Sequence, residues 1–530
     1  MVRTLALSLF SAVLCAISLP NEIFPYGVWL LGFIALAPLY FALLKAENHR
    51  QAFSVGALFG AAHHALTSYW LFFYKDFAFW TLGSTTIAYA VVYGVCAMYG
   101  AFLVRSTSGW RRPLIFAIAW TVFEYQKSIG FLGYPWGLIP YSLTSLPILL
   151  QIADITGVYG LSFILAYSSA VISDISNSAQ NKKFLLAQGI ALILAILGLL
   201  VYGGLAFSAN YEKKAEIQAV LVQQNTDPWI AGEMAALEAN IRNARKAMDE
   251  VQDSSGRTAD LVIFSETSLR RPYTDFKPWF STNPSDLPLT DFLRHYKVHL
   301  LTGAPVVLDW NTYEASNSVI LIDSEGVQHG SYAKIHPVPF AEAIPLWEYE
   351  WFRKFMREKV GIEGGWVMGT RISIFTLPLQ TGGRVQFATP ICFEDAFSDL
   401  CRQYILDGAE LFINLTNDSW SRRESAQIQH WAIARFRAVE NRRTLVRSTN
   451  SGVSCVIDPT GRSILELPQF TGTAALASIP VYISHSYTFY TRYGDLFARS
   501  MVAFLCLWAS ALLIKAKGKW PRLIFIHVSV

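Results

Sequence analysis

Seven apolar stretches crowd the first 208 residues of this chain, and an eighth lies near its end. They fall at about 4–20, 27–44, 53–74, 79–104, 113–126, 152–174, 184–207 and 496–514. A bilayer crossing takes about 20 apolar residues, and inside hydrocarbon the backbone must satisfy its own polar groups, so such runs fold as helices. The first and fifth stretches are at the short end. Arg3 ahead of a short apolar core also permits a signal peptide at the start. A second stretch follows soon after Pro20, however, and no small-x-small cleavage site stands out.

Between these stretches and the last one the text changes. Overall only 15% of residues are charged, well below the roughly 25% of a soluble domain, yet residues 211–490 read like an ordinary globular chain. We therefore expect three parts: a transmembrane bundle over 1–210, a folded domain over 211–490, and a final helix with a tail over 491–530. Basic residues support the threading. Lys45 and Arg50, then Arg105, Arg111 and Arg112, then Lys182 and Lys183, occupy alternate connections, and Lys515, Lys517, Lys519 and Arg522 follow the last stretch. The remaining connections carry only Lys75 and Lys127. The positive-inside rule puts the basic set in the cytoplasm. About eight spans then leave 211–490 outside.

The net charge of +4 gives no case for nucleic-acid binding. The six cysteines (15, 96, 392, 401, 455 and 506) include no Cys-x-x-Cys pair, so a zinc site or disulfide framework is not expected. No metal or organic cofactor is suggested. Within the apolar stretches, His63, His64, Glu124 and Asp154 are either functional groups or interhelical hydrogen-bonding partners. Residues 130–141, with Gly133, Pro135, Gly137 and Pro140, cannot form a regular helix and are expected as a re-entrant or surface segment on the outer side.

From residue 216 short apolar strands alternate with helical patterns: EIQAVLVQ (216–223), DLVIF (260–264), VHLLTGAPV (298–306), NSVILID (317–323), VQFATPIC (385–392), AELFINLT (409–416) and TLVRSTN (444–450), with helices near 232–251 and 424–441. Alternation of this kind implies a layered α/β domain. Three segments carry reactive groups at strand ends, where α/β sheets place their sites. FSETSLRR (264–271) brings Glu266, YAKIHPVPFAE (332–342) brings Lys334 and Glu342, and PICFED (390–395) brings Cys392. A thiolate attacks an acyl carbonyl to give a thioester. A carboxylate can take the thiol proton, and an ammonium can stabilise both the thiolate and the oxyanion. Glu266, Lys334 and Cys392 thus form an acyl-transfer kit without histidine.

That ordered set resembles the catalytic triad of the nitrilase superfamily. The surrounding text, INLTNDSW (413–420), QHWAIARFRAVENRR (429–443) and RSTNSGVS (447–454), with FLGYPWG (131–137) and GVYGLSF (157–163) in the membrane part, is similar to the bacterial apolipoprotein N-acyltransferases. The resemblance implies a four-layer α-β-β-α sandwich beside the transmembrane bundle. It implies Glu266 as general base, Lys334 at the oxyanion and Cys392 as the residue that takes an acyl chain from a phospholipid. Glu342 would support the lysine, Glu394 would hold the active-site loop, and Trp229 and Trp420 would line a lipid-facing mouth. The acceptor would be the α-amino group of a diacylglyceryl-modified cysteine on a lipoprotein, and the enzyme, a monomer, would sit in the bacterial inner membrane with its domain in the periplasm. Two departures stand out: Phe393 where many relatives have tyrosine, and Ser421-Arg422 where relatives usually have Phe-Gly.

Two other readings compete. One is a membrane-tethered amidase that discharges the thioester with water; the other is a transporter or scaffold with an inactive domain. The segment 346–360 (LWEYEWFRKFMREKV) reads either as an arm dipping into the outer leaflet or as a helix packed on the domain. Arg422, Arg423, Arg442 and Arg443 are expected at phospholipid head groups or on a solvated face. Cys401 and Cys455 are expected in the core or on the surface.

Overall fold

A computed structural model describes residues 1–515 apart from 75–78, 177–181, 256–258, 345, 348, 361–364 and 484–485. Lys75, Lys517, Lys519 and Arg522 lie outside the described residues. All eight apolar stretches fold as helix in whole or in part. Length and apolarity qualify three as bilayer spans: Trp80–Arg105, Lys182–Phe207 and Leu496–Ile514. Val2–Ser18 and Trp29–Lys45 are shorter apolar helices. The stretch expected as one span over 152–174 is instead a bent pair, Pro147–Thr156 and Tyr159–Ile175, turned by 117°. The turn is made at Gly157, whose φ of +62° a residue with a side chain rarely adopts.

Among the described residues, twelve strands build the domain after the bundle: β1 (Lys213–Gln223), β2 (Leu261–Ile263), β3 (His299–Asp309), β4 (Glu314–Ile322), β5 (Gln328–Ala333), β6 (Ile374–Pro378), β7 (Arg384–Ala388), β8 (Leu411–Thr416), β9 (Leu445–Thr449), β10 (Cys455–Ile457), β11 (Ser463–Glu466) and β12 (Thr473–Tyr482). They form two six-stranded sheets, ordered β12-β1-β2-β3-β4-β5 and β11-β10-β9-β8-β7-β6. In each sheet three neighbouring strands are parallel, β1-β2-β3 and β7-β8-β9, with antiparallel strands on both sides. The sheets pack face to face through one core containing Ile217, Leu221, Ile263 and Leu301 from the first, and Phe387, Ile413, Leu411 and Val446 from the second. Strands of a parallel core are covered on both faces and show no inside–outside alternation, and β2, β8 and β9 are accordingly buried at every position. Helix Glu233–Ser255 covers the outer face of the first sheet. Helices Ser398–Leu406 and Glu424–Asn441 cover the second, completing four layers.

Glu424–Asn441 has a second duty. Seventeen of its 18 residues are buried, because one side meets the sheet through Ala432 and Ala438 while the other meets the membrane helices through Ile433, Phe436 and Val439. Its polar side chains reach across: Gln429 Nε2 donates to the carbonyls of Pro20 (2.9 Å) and Thr67 (3.1 Å), and Arg435 donates to the Thr144 carbonyl. This docking corrects an expectation from sequence. Arg442 faces neither lipid nor solvent; its guanidinium holds Asp154 at 2.6 Å and the Gln151 carbonyl at 3.2 Å, and Arg443 is buried. The 130–141 segment, expected as re-entrant or at the surface, is exposed at Phe131 and Leu132 and buried beneath the domain at Trp136, Leu138, Ile139 and Tyr141. Cys401 and Cys455 belong to the core. Interhelical bonding accounts for two of the polar groups: Glu124 accepts from the Ile139 N–H at 2.8 Å, and His64 contacts Thr85 at 2.8 Å.

Candidate active site

Glu266 lies three residues past β2. The Phe264 N–H still donates to the Leu301 carbonyl (2.9 Å), so the chain stays on the sheet until Ser265 and then turns sharply, with Thr267 at φ +52°. Gly303 makes that turn possible. A β-carbon there would fall 2.3 Å from the Thr267 nitrogen and 2.7 Å from the Glu266 Cα. We expect Gly303→Ala to displace the Glu266 backbone and cut turnover about tenfold or more, checked by initial rates beside a melting curve; unchanged turnover would contradict this packing.

The Glu266 carboxylate is buried. One oxygen accepts from Asn317 Nδ2 (2.8 Å), the other from the Asn417 N–H (3.0 Å). Lys334 follows β5 directly, and its own N–H donates to the Asn317 carbonyl at 2.9 Å. Its ammonium, 1% exposed, sits 2.8 Å from Glu342 Oε1 and 3.5 Å from Glu266 Oε1. Glu342 turns its other oxygen to the Val338 N–H (2.8 Å), closing the loop between them. Burial pushes Lys334 down, but the Glu342 and Glu266 carboxylates outweigh it and hold the ammonium above its ordinary value. It is a permanent cation. Burial raises Glu266, an effect that Lys334 opposes and Glu342 reinforces.

Cys392 does not end a strand, as the sequence suggested. Strand β7 stops at Ala388, an isolated bridge joins Ile391 to Leu415, and Cys392 opens a short 3-10 turn, Cys392–Ala396. Its φ is +50°, a strained value for a residue with a β-carbon. Strain of this kind clusters at functional sites. Asn414 Nδ2 supports the bend from below, donating to the carbonyls of Pro390 (3.0 Å) and Cys392 (3.3 Å). The thiol is partly exposed. Burial raises it well above its ordinary value, Glu266 adds to this, and Lys334 pulls it back. The resting group is therefore a neutral thiol with a carboxylate and a cation acting on it.

Glu394 hooks the Cys392 turn to the Lys334 loop. One oxygen accepts from the N–H groups of Ile335 (2.7 Å) and His336 (2.9 Å) and from the Tyr332 hydroxyl (2.8 Å); the other accepts from the Ile391 N–H (2.7 Å). Phe393 is buried, stacked on Trp136 of the membrane part at 5.3 Å with an interplanar angle of 13°. Trp420 meets Trp70 (5.4 Å) and Tyr74 (5.6 Å) at the bundle edge. The Trp229 side chain lies outside the described residues. In the 346–360 segment, the helix Glu350–Phe355 buries none of its residues, and Trp351 is 67% exposed. That placement favours an arm over a packed helix.

Reading the sequence for reactive groups missed Asn317, Asn414 and Asn417. The signal was there for Asn414, a polar interruption in a fully buried strand, since a buried amide needs partners.

Comparisons with known proteins follow this division. The family profile described as the apolipoprotein N-acyltransferase N-terminal domain matches residues 11–171, and that described as carbon-nitrogen hydrolase matches residues 219–484. The chain is 37% identical to apolipoprotein N-acyltransferase 2 of Treponema denticola, over 97% of this chain and 98% of that one. It is 36% identical to apolipoprotein N-acyltransferase 2 of Treponema pallidum, over 92% and 90%. It is 31% identical to the apolipoprotein N-acyltransferase of Borreliella burgdorferi, over 94% of each. Likeness at this level and over this length, with the bundle and the sandwich matched in the same order, places the chain in the apolipoprotein N-acyltransferase family.

Proposed function

We propose that this protein moves an acyl chain from a phospholipid to the α-amino group of an N-terminal diacylglyceryl-cysteine on a lipoprotein, through a thioester at Cys392. The observation carrying this is the convergence of a carboxylate and a permanent ammonium, 3.5 Å apart, on a thiol in a strained turn. In the first half-reaction Glu266 takes the Cys392 proton as sulfur bonds to the ester carbonyl carbon. The oxyanion forms beside Lys334. Collapse breaks the ester C–O bond, and the proton on Glu266 goes to the departing lysophospholipid alkoxide. In the second half the amine nitrogen attacks the thioester carbonyl. Cys392 leaves as thiolate, Glu266 accepts the surplus amine proton, and that proton returns to sulfur. Glu342 holds Lys334 in place. Glu394 holds the turn.

The domain, residues 211–490, faces the periplasm, and the shorter apolar helices complete about eight passes of the inner membrane, the last within 491–530. The exposed arm carrying Trp351 and Phe355 (67% and 50% exposed) dips into the outer leaflet and admits acyl chains. Trp420 lines the mouth. An arm with exposed aromatic side chains is of no use to an amidase with a small substrate.

The test is a phospholipid with a labelled acyl chain, offered to purified protein in micelles. Label should accumulate on Cys392 and be discharged by a diacylglyceryl lipopeptide with a free amine. Discharge by water at the same rate would favour the hydrolase. With both substrates varied, initial-rate lines should be parallel; intersecting lines would count against a free acyl-enzyme.

The raised Glu266 sets the acid limb. The base acts only when deprotonated, so thioester formation should fall as pH drops through a value above the ordinary carboxylate range of about 4. Lys334→Met removes the cation that pulls Glu266 down, so the limb should move further up while the maximal rate falls by about 100-fold or more. A limb that stays put would disconnect the two groups.

A further inference from the structure

One buried cluster plays no part in the chemistry above. His430 lies on helix Glu424–Asn441, with its Nε2 at 2.9 Å from Asp395 Oδ1 and its Nδ1 at 2.8 Å from Asp418 Oδ1. Arg447, from β9, closes the ring by bonding Asp395 Oδ2 and lying 3.5 Å from Asp418 Oδ2. None of the four is more than 6% exposed. Two carboxylates and two cations balance, provided both ring nitrogens donate, which only an imidazolium can do.

The positions of the two aspartates matter most. Asp395 is three residues after Cys392, inside the same 3-10 turn. Asp418 directly follows Asn417, whose N–H grips the Glu266 carboxylate at 3.0 Å. Asp418 is also wedged against Gly452, where a β-carbon would fall 2.7 Å from its Oδ2. The imidazole therefore ties the segment carrying the nucleophile to the segment that orients its base. On its open side it packs against Trp136 (5.3 Å), the same ring that stacks on Phe393.

We propose that His430 is a positioning residue for thioester formation: by bridging Asp395 and Asp418 it sets the Cys392 turn and the Glu266-binding loop at their working separation. It touches no reacting atom. This rests on the acyl-transfer reading of Cys392 above. The device would act on the chemical step rather than on lipid binding, because none of its four members reaches the exposed arm.

The experiment measures acyl-enzyme formation in a single turnover with the labelled phospholipid, each rate normalised to the burst amplitude so that misfolded protein does not count. Wild type must acylate; if it does not, the acyl-transfer reading itself fails and the inference falls with it. Given acylation, His430→Gln should lower the limiting rate about 10–100-fold and leave the half-saturating phospholipid concentration within about twofold. The double variant D395N/H430Q restores the charge balance and should recover part of the rate. A folded His430→Gln that acylates at the wild-type rate, or one that loses only lipid affinity, overturns the proposal. Should His430→Gln fail to fold, Asp418→Ala is judged by the same rule: it keeps the ring against Asp395 and removes the acceptor beside the Glu266-binding loop, together with its contacts to Thr416 and Arg447, so an unchanged limiting rate overturns the proposal.

Discussion

Cys392→Ala should retain the fold and form no thioester, with turnover falling by about 10⁴-fold or more. Cys392→Ser should do little better. A hydroxyl is much harder to deprotonate than a thiol, and a carboxylate is too weak a base to activate it. The backbone at this position makes a further prediction that a merely buried cysteine would not. With φ at +50°, glycine fits better than any side chain, so Cys392→Gly should be inactive yet more stable than Cys392→Ala by about 1 kcal/mol. Melting temperatures of the two variants, beside labelled-phospholipid gels, check both halves. Thioester on the alanine variant would move the nucleophile elsewhere; equal melting temperatures would mean that the turn is not strained.

Glu394→Gln should be nearly as damaging, though the side chain differs by one atom. Both carboxylate oxygens of Glu394 face donors: three backbone N–H groups at 2.7–2.9 Å and the Tyr332 hydroxyl at 2.8 Å. An amide must turn its NH₂ toward one of these sets. Turned toward Ile391, it leaves that buried N–H without an acceptor; turned toward Ile335 and His336, it leaves two. Each orphaned group costs about 1–3 kcal/mol. The link between the Cys392 turn and the Lys334 loop is then lost, and a displacement of about 1 Å at a nucleophile costs about 100-fold in rate. We expect that loss in acyl-enzyme formation, together with a lower melting temperature. Activity within about twofold of wild type would show that the turn is held by other contacts.

Much of this was legible in the linear text, and particular residues show why. β8 is legible because its Leu411–Ile413 run and Leu415 are apolar with no polar alternation, as expected of a parallel strand buried on both faces. Glu266, Lys334 and Cys392 stand out because each lies shortly past a strand, where a loop can present a reactive group. β12 was not legible. Its TAALASIPVY shows no clean alternation, and it pairs antiparallel with β1 from some 250 residues away. Arg442 misled for a related reason. An arginine just past a helix end looks solvated until Asp154, 288 residues earlier, is folded against it.

By itself the sequence determined the order of parts, the apolar helices flanking an α/β layer, the candidate reactive groups and the family. Those properties reside in single residues and their near neighbours, through burial, periodicity and side-chain chemistry. Only the tertiary structure decided how Asn317 and Asn417 grip the base, that Cys392 sits in a left-handed turn, that His430 joins two acidic residues, and that helix Glu424–Asn441 is buried on both sides. Each of these depends on groups far apart along the chain meeting at hydrogen-bond distance. Local spacing does not encode such meetings; the packing of two sheets against a membrane bundle does.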